Sequence, residues 1–296
     1  MYMSHPYPAD WLETQYNNRK RFPEAAGQLE RWASDSVATR TRLKPDTALP
    51  YGTWGETLDV FGTTAGPKDS QNLAPVFVFI HGGYWRSLTR SDHSFAVEAL
   101  VNAGACAVVP DYTLCPTVTI PDIARQMAEA LTWTYRNVHK YGGDPQRIVV
   151  AGHSAGGHLT AMLMGCDWQQ VDPALPPDLV KKSLSISGLY DLGPLQHVPF
   201  LKEDLRITQE HIDMASPLHW RAPTKGELHL VVGGNESEEF LRHQAALAQA
   251  WGPARVPTAK VLPNLNHFDI VETLNQPGSR LYKLALDLLG LSPTAE

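Results

Sequence analysis

The chain has no long apolar run, no excess of basic residues and few cysteines. No window approaches the ~18 continuous apolar residues of a membrane-spanning helix, so a membrane protein is not expected. The formal net charge is −6 over 296 residues. A surface that reads nucleic acid needs a basic patch, and this acidic balance therefore argues against nucleic acid as a partner.

The cysteines, Cys106, Cys115 and Cys166, are odd in number and have no C-x-x-C spacing. They are typical of small buried side chains in a reducing compartment, and they indicate neither a disulfide framework nor a metal site. The histidines lack ligand spacing such as H-E-x-x-H, so we expect no metal and no cofactor. Residues 1–8 lack a basic segment followed by an apolar one, so we predict no signal peptide and a soluble, cytoplasmic protein.

Strands and helices alternate along most of the chain, which predicts one α/β domain over residues 1–296. Helix-like spacing to about residue 49 indicates a helical N-terminal arm, and weak alternation over 51–61 indicates early strands. Buried strands are predicted at 76–80, 106–110, 147–152, 184–187, 228–232 and 259–262, with a helix at 94–101 and an amphipathic one at 123–139. The alternation lapses over 191–223, where we predict a small cap above the carboxyl ends of the strands.

The segment 152–156 reads Gly-His-Ser-Ala-Gly, which matches G-x-S-x-G between a predicted strand and a predicted helix over 157–165. A serine on such a sharp turn needs small neighbours, and the turn exposes its hydroxyl above the sheet. This context predicts the α/β-hydrolase fold, a mostly parallel sheet with helices on both faces, with Ser154 as the nucleophile. A glycine-rich packing turn is the structural alternative.

The segment 81–85, His-Gly-Gly-Tyr-Trp, follows the buried strand 76–80. A glycine pair there can turn backbone N–H groups toward the acyl carbon at Ser154, and we assign the oxyanion donors to Gly83, Tyr84 and Ala155. We expect His81 to brace this loop through hydrogen bonds. Tyr84 and Trp85 are predicted to line the substrate pocket, with a role as core aromatics as the alternative.

The base and the acid are expected late in the chain, because this fold orders its triad as serine, acid, histidine. His267 follows the last predicted strand and is the predicted base. Glu236 comes first after the glycine turn that ends the strand 228–232, and it is the predicted acid. Asp191 is the runner-up, with a turn or helix-cap role as its alternative.

These residues resemble the kynurenine formamidase (arylformamidase) branch of the α/β-hydrolases. The segments that carry the resemblance are His-Gly-Gly-Tyr-Trp at 81–85, Gly-His-Ser-Ala-Gly-Gly-His-Leu at 152–159, Asn-His-Phe at 266–268, Tyr-Asn-Asn-Arg at 16–19 and Gly-Leu-Tyr-Asp-Leu at 188–192. Asp-Tyr-Thr-Leu-Cys-Pro at 111–116 is similar to a segment of the wider hormone-sensitive-lipase-like group. The resemblance implies a cofactor-free triad that removes the formyl group from N-formyl-L-kynurenine or another aryl formamide. That branch often has aspartate where this chain has Glu236.

Three functions stay open at this stage. The first is an arylformamidase, the second a carboxylesterase for short acyl chains, and the third an inactive hydrolase that serves as a binding module. An aromatic amino acid as leaving group would need an anchor for its carboxylate, for which Arg86 and Arg206 are candidates. The partner is then a small-molecule ester or amide, and a homodimer is left open.

Overall fold

A computed structural model describes residues 8–63 and 73–291. Residues 1–7 open the predicted arm and carry most of the argument against a signal peptide, and they lie outside the described residues. No helix in the described ranges combines the length and the apolar character that crossing a membrane requires.

One sheet forms the centre of the described part of the chain. Its strands are β1 Asp46–Pro50, β2 Thr57–Phe61, β3 Ala74–Ile80, β4 Cys106–Pro110, β5 Gly143–His153, β6 Lys182–Ile186, β7 Glu227–Gly233 and β8 Thr258–Leu262. Their order across the sheet is β1-β2-β4-β3-β5-β6-β7-β8. The pairs β1–β2 and β2–β4 are antiparallel, and every other neighbouring pair is parallel. The predicted α/β-hydrolase fold with a mostly parallel sheet is confirmed.

Helices cover both faces of this sheet. The α-helices are α1 Ala9–Tyr16, α2 Asn18–Arg21, α3 Ala25–Leu43, α4 Glu98–Asn102, α5 Ile120–Asn137, α6 Ala155–Met164, α7 Trp168–Val171, α8 Pro199–Leu205, α9 Gln209–Ala215, α10 Glu238–Trp251, α11 Asp269–Glu272 and α12 Arg280–Leu289. Short 3₁₀ turns cover Arg90–Asp92, Ser94–Val97, Val138–Tyr141, Pro194–His197, Pro217–His219 and Thr273–Asn275.

The central strand β3 shows why the sheet is buried on both sides. Side chains alternate across a strand, so Val76, Val78 and Ile80 enter one apolar cluster, which includes side chains of α5, α6 and α10. Phe77 and Phe79 enter the other cluster, with side chains of α4 and α12. A strand with helices on both faces must be apolar at every position, and this is the continuous run that the sequence shows at 76–80.

Several boundaries differ from the predicted ones for local physical reasons. The stretch predicted as a helix at 94–101 is a 3₁₀ turn followed by α4. The helix predicted to start at residue 123 begins earlier because a capping box fixes its first turn, with Thr119 N–H donating to Asp122 Oδ2 at 2.9 Å and Asp122 N–H donating to Thr119 Oγ1 at 3.3 Å. Strand β1 starts inside the predicted arm. The sequence did not indicate this strand because it is a mostly exposed edge strand without apolar alternation.

The two stretches predicted as arm and cap contain helices but no long strand. Helices α1, α2 and α3 lie before β1, and α8 and α9 lie between β6 and β7. Helix α1 packs against α8 and α10, so the two stretches are in contact. The division of the chain into one domain, an arm and a cap stays a prediction. Of the cysteines predicted to be buried, Cys106 and Cys115 are buried, while Cys166 is partly exposed.

Candidate active site

Ser154 lies at the sharp turn between β5 and α6. Its backbone has φ 57° and ψ −116°, a conformation that L-residues rarely adopt and that surrounding structure must enforce. The Ser154 N–H donates to the Ile186 carbonyl at 2.8 Å, which ties the turn to the neighbouring strand. A Cβ atom at Gly156 would overlap the Ile80 carbonyl oxygen, so the motif needs glycine there. The turn therefore has the strained backbone that a G-x-S-x-G elbow requires.

The structure brings His267 and Glu236 into contact, and His267 lines the same cavity as Ser154. His267 Nδ1 lies 2.6 Å from Glu236 Oε2, and each residue is only 4 % exposed. Glu236 Oε1 also accepts hydrogen bonds from Ser187 Oγ at 2.5 Å and from the Gly233 N–H at 2.7 Å. A carboxylate held in this way fixes the histidine tautomer with the proton on Nδ1. Nε2 is then the nitrogen able to take a proton from a hydroxyl group.

Hydrogen bonds hold the backbone of the loop that carries His267. Asn266 Oδ1 accepts from the N–H groups of Phe268 at 2.7 Å and Asp269 at 2.9 Å. His153 Nε2 lies 2.8 Å from the carbonyl oxygen of His267, and the two imidazole rings are 4.6 Å apart. The ring orientation therefore depends on hydrogen bonds to the backbone on either side of it.

Asp191, the runner-up acid, lies elsewhere. Its Oδ1 accepts from the Gly193 N–H at 3.0 Å and lies 3.4 Å from His219 Nε2, and its Oδ2 lies 3.8 Å from Arg242. Among the described residues, no hydrogen bond or ion pair joins Asp191 to His267. The turn role that was the alternative for Asp191 matches this position, and the geometry favours Glu236 as the partner of the histidine.

The loop after β3 passes directly over the serine. A Cβ atom at Gly82 would lie 3.2 Å from the Cβ of Ser154. Gly83 has φ 109°, and its carbonyl accepts from the N–H groups of Arg86 and Ser87, both at 3.1 Å. The N–H groups of Gly83, Tyr84 and Ala155 make no hydrogen bond to another described residue. They are available for an oxyanion.

His81 holds this loop in place through contacts of both its ring nitrogens. Its Nδ1 lies 2.8 Å from the Gly82 carbonyl oxygen and its Nε2 3.1 Å from Asp111 Oδ1. Its ring stacks on Tyr112 with centroids 4.2 Å apart and planes 7° apart. The bracing role expected for His81 is the one that the structure gives it.

Ser154 and His267 open onto a cavity of about 660 Å³. This volume is typical of small-molecule sites. The lining residues come from the N-terminal helices, the loop after β3, the nucleophile turn, α8 and the His267 loop: Asn17, Asn18, Arg19, Lys20, Leu29, Trp32, Gly82, Gly83, Tyr84, Arg86, Ser87, Leu88, His153, Ser154, Phe200, His267 and Phe268.

Of the two aromatic residues predicted to line the pocket, Tyr84 does so and Trp85 does not. Trp85 is fully buried, with its ring edge-on to His158 at 5.0 Å, because the chain turns at positive φ and sends consecutive side chains to different sides. This prediction was wrong for Trp85. Burial, followed by the charge of Glu236, raises the pKa of Tyr84 well above its usual range. The phenol therefore stays protonated, and it donates to the Tyr16 carbonyl at 2.5 Å.

Neither arginine suggested as a carboxylate anchor is free at the cavity. Arg86 lines the cavity, but it forms an ion pair with Asp204 and lies over the ring of Phe200 at 5.5 Å. Arg206 does not line the cavity, and its Nε donates to the Glu203 carbonyl at 3.1 Å.

Sequence reasoning missed Ser187, which bonds the acid, and the segment 17–20, which lines the cavity. The signal for Ser187 was its place just after β6, where side chains meet at the carboxyl edge of the sheet. The signal for 17–20 was that part of it belongs to a motif of the resemblance. Within residues 8–63 and 73–291, no three His, Cys, Asp or Glu side chains are grouped as metal ligands.

Four buried histidines predict loss of stability in mild acid. Burial lowers the pKa of His158 to about 4, burial and then His81 lower that of His93 to about 4, and burial and then Arg242 lower that of His243 to about 4. Burial and then His267 lower the pKa of His153 well below its usual value. The unfolded chain protonates these groups below about pH 6.5 while the folded chain keeps them neutral, so the stabilisation is complete above pH 6.5 and lost as pH falls toward 4.

The free energy of unfolding should therefore fall by about 1 kcal/mol for each of these histidines between pH 7 and pH 5.5. Urea unfolding at the two pH values measures this change. His158→Gln should reduce the pH dependence by one histidine's share. An unfolding free energy that is the same at both pH values would contradict the prediction.

The chain is similar in sequence to known proteins. The sequence profile of the BD-FAE family matches residues 62–192. Kynurenine formamidase of Danio rerio is 28 % identical over 96 % of this chain and 97 % of its own length. Kynurenine formamidase of Drosophila melanogaster is 30 % identical over 76 % of this chain and 75 % of its own length.

Solved structures show the same fold. A thioesterase candidate from Silicibacter sp. TM1040 superposes with a TM-score of 0.79 at 28 % identity, covering 96 % of this chain and 99 % of that one. An esterase from Pyrobaculum calidifontis superposes with a TM-score of 0.65 at 19 % identity, covering 90 % and 93 %. Because it is 30 % identical to the fly enzyme over three quarters of that enzyme's length, this chain belongs to the kynurenine formamidase family of α/β-hydrolases. It is a serine-hydrolase-type enzyme.

Proposed function

We propose that this protein hydrolyses N-formyl amides of aromatic amines, N-formyl-L-kynurenine among them, through a triad of Ser154, His267 and Glu236. The observation that carries the proposal is the buried contact between His267 Nδ1 and Glu236 Oε2 at 2.6 Å, beside a cavity that Ser154 also lines. The substrate class comes from the two kynurenine formamidases to which the chain is similar along most of its length.

The proposed mechanism starts from the tautomer of His267 that its contact with Glu236 favours. With Nδ1–H held by Glu236, His267 Nε2 takes the proton of Ser154 as the hydroxyl oxygen attacks the formyl carbon. The N–H groups of Gly83, Tyr84 and Ala155 stabilise the oxyanion, each donor contributing about 3 kcal/mol. His267 then gives its proton to the leaving amine, and a water molecule activated by His267 releases formate from the serine.

A carboxylesterase for short acyl esters is the second candidate. It is supported by the relative Esterase LipQ of Mycobacterium tuberculosis, which is 31 % identical over 74 % of this chain and 55 % of its own length. The proposed machinery is the same for both reactions, because ester and amide hydrolysis pass through the same tetrahedral oxyanion. The two candidates differ in the leaving group and in the size of the acyl group.

Two substrate pairs separate these candidates. N-Formyl-L-kynurenine and its analogue acetylated on the same aromatic nitrogen share a leaving group. The value of kcat/KM should be at least about a hundredfold higher for the formyl compound, because the added methyl group lowers the reactivity of the carbonyl and must fit beside the oxyanion loop. p-Nitrophenyl acetate and butyrate report the esterase activity. Turnover of these esters without turnover of formylkynurenine would reject the formamidase and leave the carboxylesterase.

A further inference from the structure

The segment 17–20, at the junction of α1 and α2, gives the cavity a positive wall. Arg19 and Lys20 line the cavity, are exposed, and make no ion pair with any described residue. The remaining charged side chain on the lining, Arg86, is neutralised by Asp204. No described Asp or Glu side chain lines this cavity, although the whole chain carries a net charge of −6. The cavity therefore differs in sign from the protein around it.

Asn18, another residue of this wall, has a buried carboxamide without a hydrogen-bond partner among the described residues. The residue is only 3 % exposed, and neither its Nδ2 nor its Oδ1 has a hydrogen-bond partner among the described residues. Its neighbour Asn17 is fully used, since its Nδ2 donates to Glu13 Oε1 at 2.7 Å and its Oδ1 accepts from the Lys20 N–H at 3.1 Å. Leaving a buried amide unpaired destabilises a protein. Both amide atoms of Asn18 are closed to solvent, so this carboxamide belongs to the interior behind the wall and is not presented to the cavity.

The segment is held in place before any ligand binds. The Tyr16 carbonyl, next to Asn17, accepts the hydrogen bond of Tyr84, and the Tyr16 hydroxyl donates to Glu239 Oε2 at 2.5 Å. Both partners are buried or half-buried, and Tyr84 belongs to the loop over Ser154. The positive wall is therefore held at a fixed position relative to Ser154. A fixed position is needed if the wall is to bind one group of a substrate while another group reacts at the serine.

We propose that the segment 17–20 is a subsite for leaving groups that carry a carboxylate. Arg19 and Lys20, which are exposed and line the cavity, attract the negative charge. The inference rests on the proposed function only in placing bond cleavage at Ser154. It concerns the charge of the leaving group, whichever acyl group is transferred.

The test uses two acetyl esters of the same shape, 3-acetoxybenzoate and 3-acetoxybenzamide, whose leaving groups differ by one negative charge. Wild type should hydrolyse the carboxylate with the higher kcat/KM, and this preference should shrink as ionic strength rises from 0.02 to 0.5 M, because salt screens exposed charges. In the double variant Arg19→Gln/Lys20→Gln the preference should fall by about tenfold. Hydrolysis of 3-acetoxybenzamide should stay within about twofold of wild type, since exposed charges act weakly on a neutral ligand.

Lys181→Gln/Lys182→Gln is the matched control. It removes the same charge at the start of β6, at the opposite edge of the sheet from the carboxyl ends that hold the site. Its preference should equal that of wild type.

An equal preference in wild type and in the Arg19→Gln/Lys20→Gln variant would overturn the inference. That result is separable from failure of the formamidase proposal. Turnover of formylkynurenine without any charge preference on the esters removes the subsite alone. A charge preference on the esters without turnover of formylkynurenine removes the formamidase alone and supports the subsite.

Discussion

Ser154→Ala should reduce kcat/KM by about a millionfold, close to 8 kcal/mol of transition-state stabilisation. The variant loses the only atom that we propose to bond the acyl group, and the oxyanion donors alone retain a small rate above that of water. The measurement is kcat/KM of the purified variant, free of contaminating wild-type enzyme, for formylkynurenine and for p-nitrophenyl acetate. Both activities should disappear together. Retention of more than about 1 % of either one would mean that another group performs that reaction.

Folding of this variant separates lost chemistry from lost structure. Alanine keeps the Cβ atom, so it keeps the strained backbone at φ 57° and ψ −116° and should melt close to wild type. Ser154→Gly removes the Cβ and with it the strain, so it should be as inactive as Ser154→Ala yet more stable by about 1 kcal/mol. A glycine variant that melts below the alanine variant would contradict the strain at this turn.

Glu236→Gln should lower kcat by about 10³ to 10⁴ and leave KM nearly unchanged. An amide in place of the carboxylate can present its NH₂ group to His267 Nδ1, which moves the imidazole proton to Nε2, where it can no longer accept from Ser154. Lost charge also leaves the imidazolium unpaired in a buried site. The pre-steady-state rate of acylation by p-nitrophenyl acetate measures this loss directly, apart from product release.

Asp191→Asn is the matched control, because it makes the same chemical change at the other candidate acid. Asp191 contacts Gly193 and His219 rather than His267, so kcat should stay within about threefold of wild type. Glu236→Asp should recover part of the activity, since it restores the charge with a shorter reach. If Asp191→Asn were the damaging variant and Glu236→Gln the mild one, the assignment of the acid would be reversed.

The residues of the proposed triad and the glycine pair could be placed from the sequence because each follows the end of a strand. Ser154 follows β5, the glycine pair at 82–83 follows β3, Glu236 follows β7 and His267 follows β8. Parallel strands bring their carboxyl ends to one edge of the sheet, so four segments far apart in sequence are predicted to meet there. The choice between Glu236 and Asp191 depended on distance from the strand end, and the contact with His267 favours the same residue.

The walls of the cavity could not be predicted in the same way. Segment 17–20 reaches the site through packing of α1 on α8 and α10, a contact between elements more than 180 residues apart that leaves no periodic signal. Tyr84 and Trp85 were both assigned to the pocket because they follow the glycine pair at 82–83, but positive φ at both residues sends the two rings to different places. Dihedral angles of this kind follow from the tertiary contacts of a loop, which composition does not report.

Tyr84 has one role for its backbone and another for its side chain. Its N–H group is a proposed oxyanion donor, and its phenol holds the carbonyl of Tyr16 at the end of α1. The docking of α1 and the placement of the donor therefore cannot change independently. A variant or truncation that loosens α1 should therefore lower kcat, the rate at saturating substrate. Substrate affinity alone would not report whether this helix is in place.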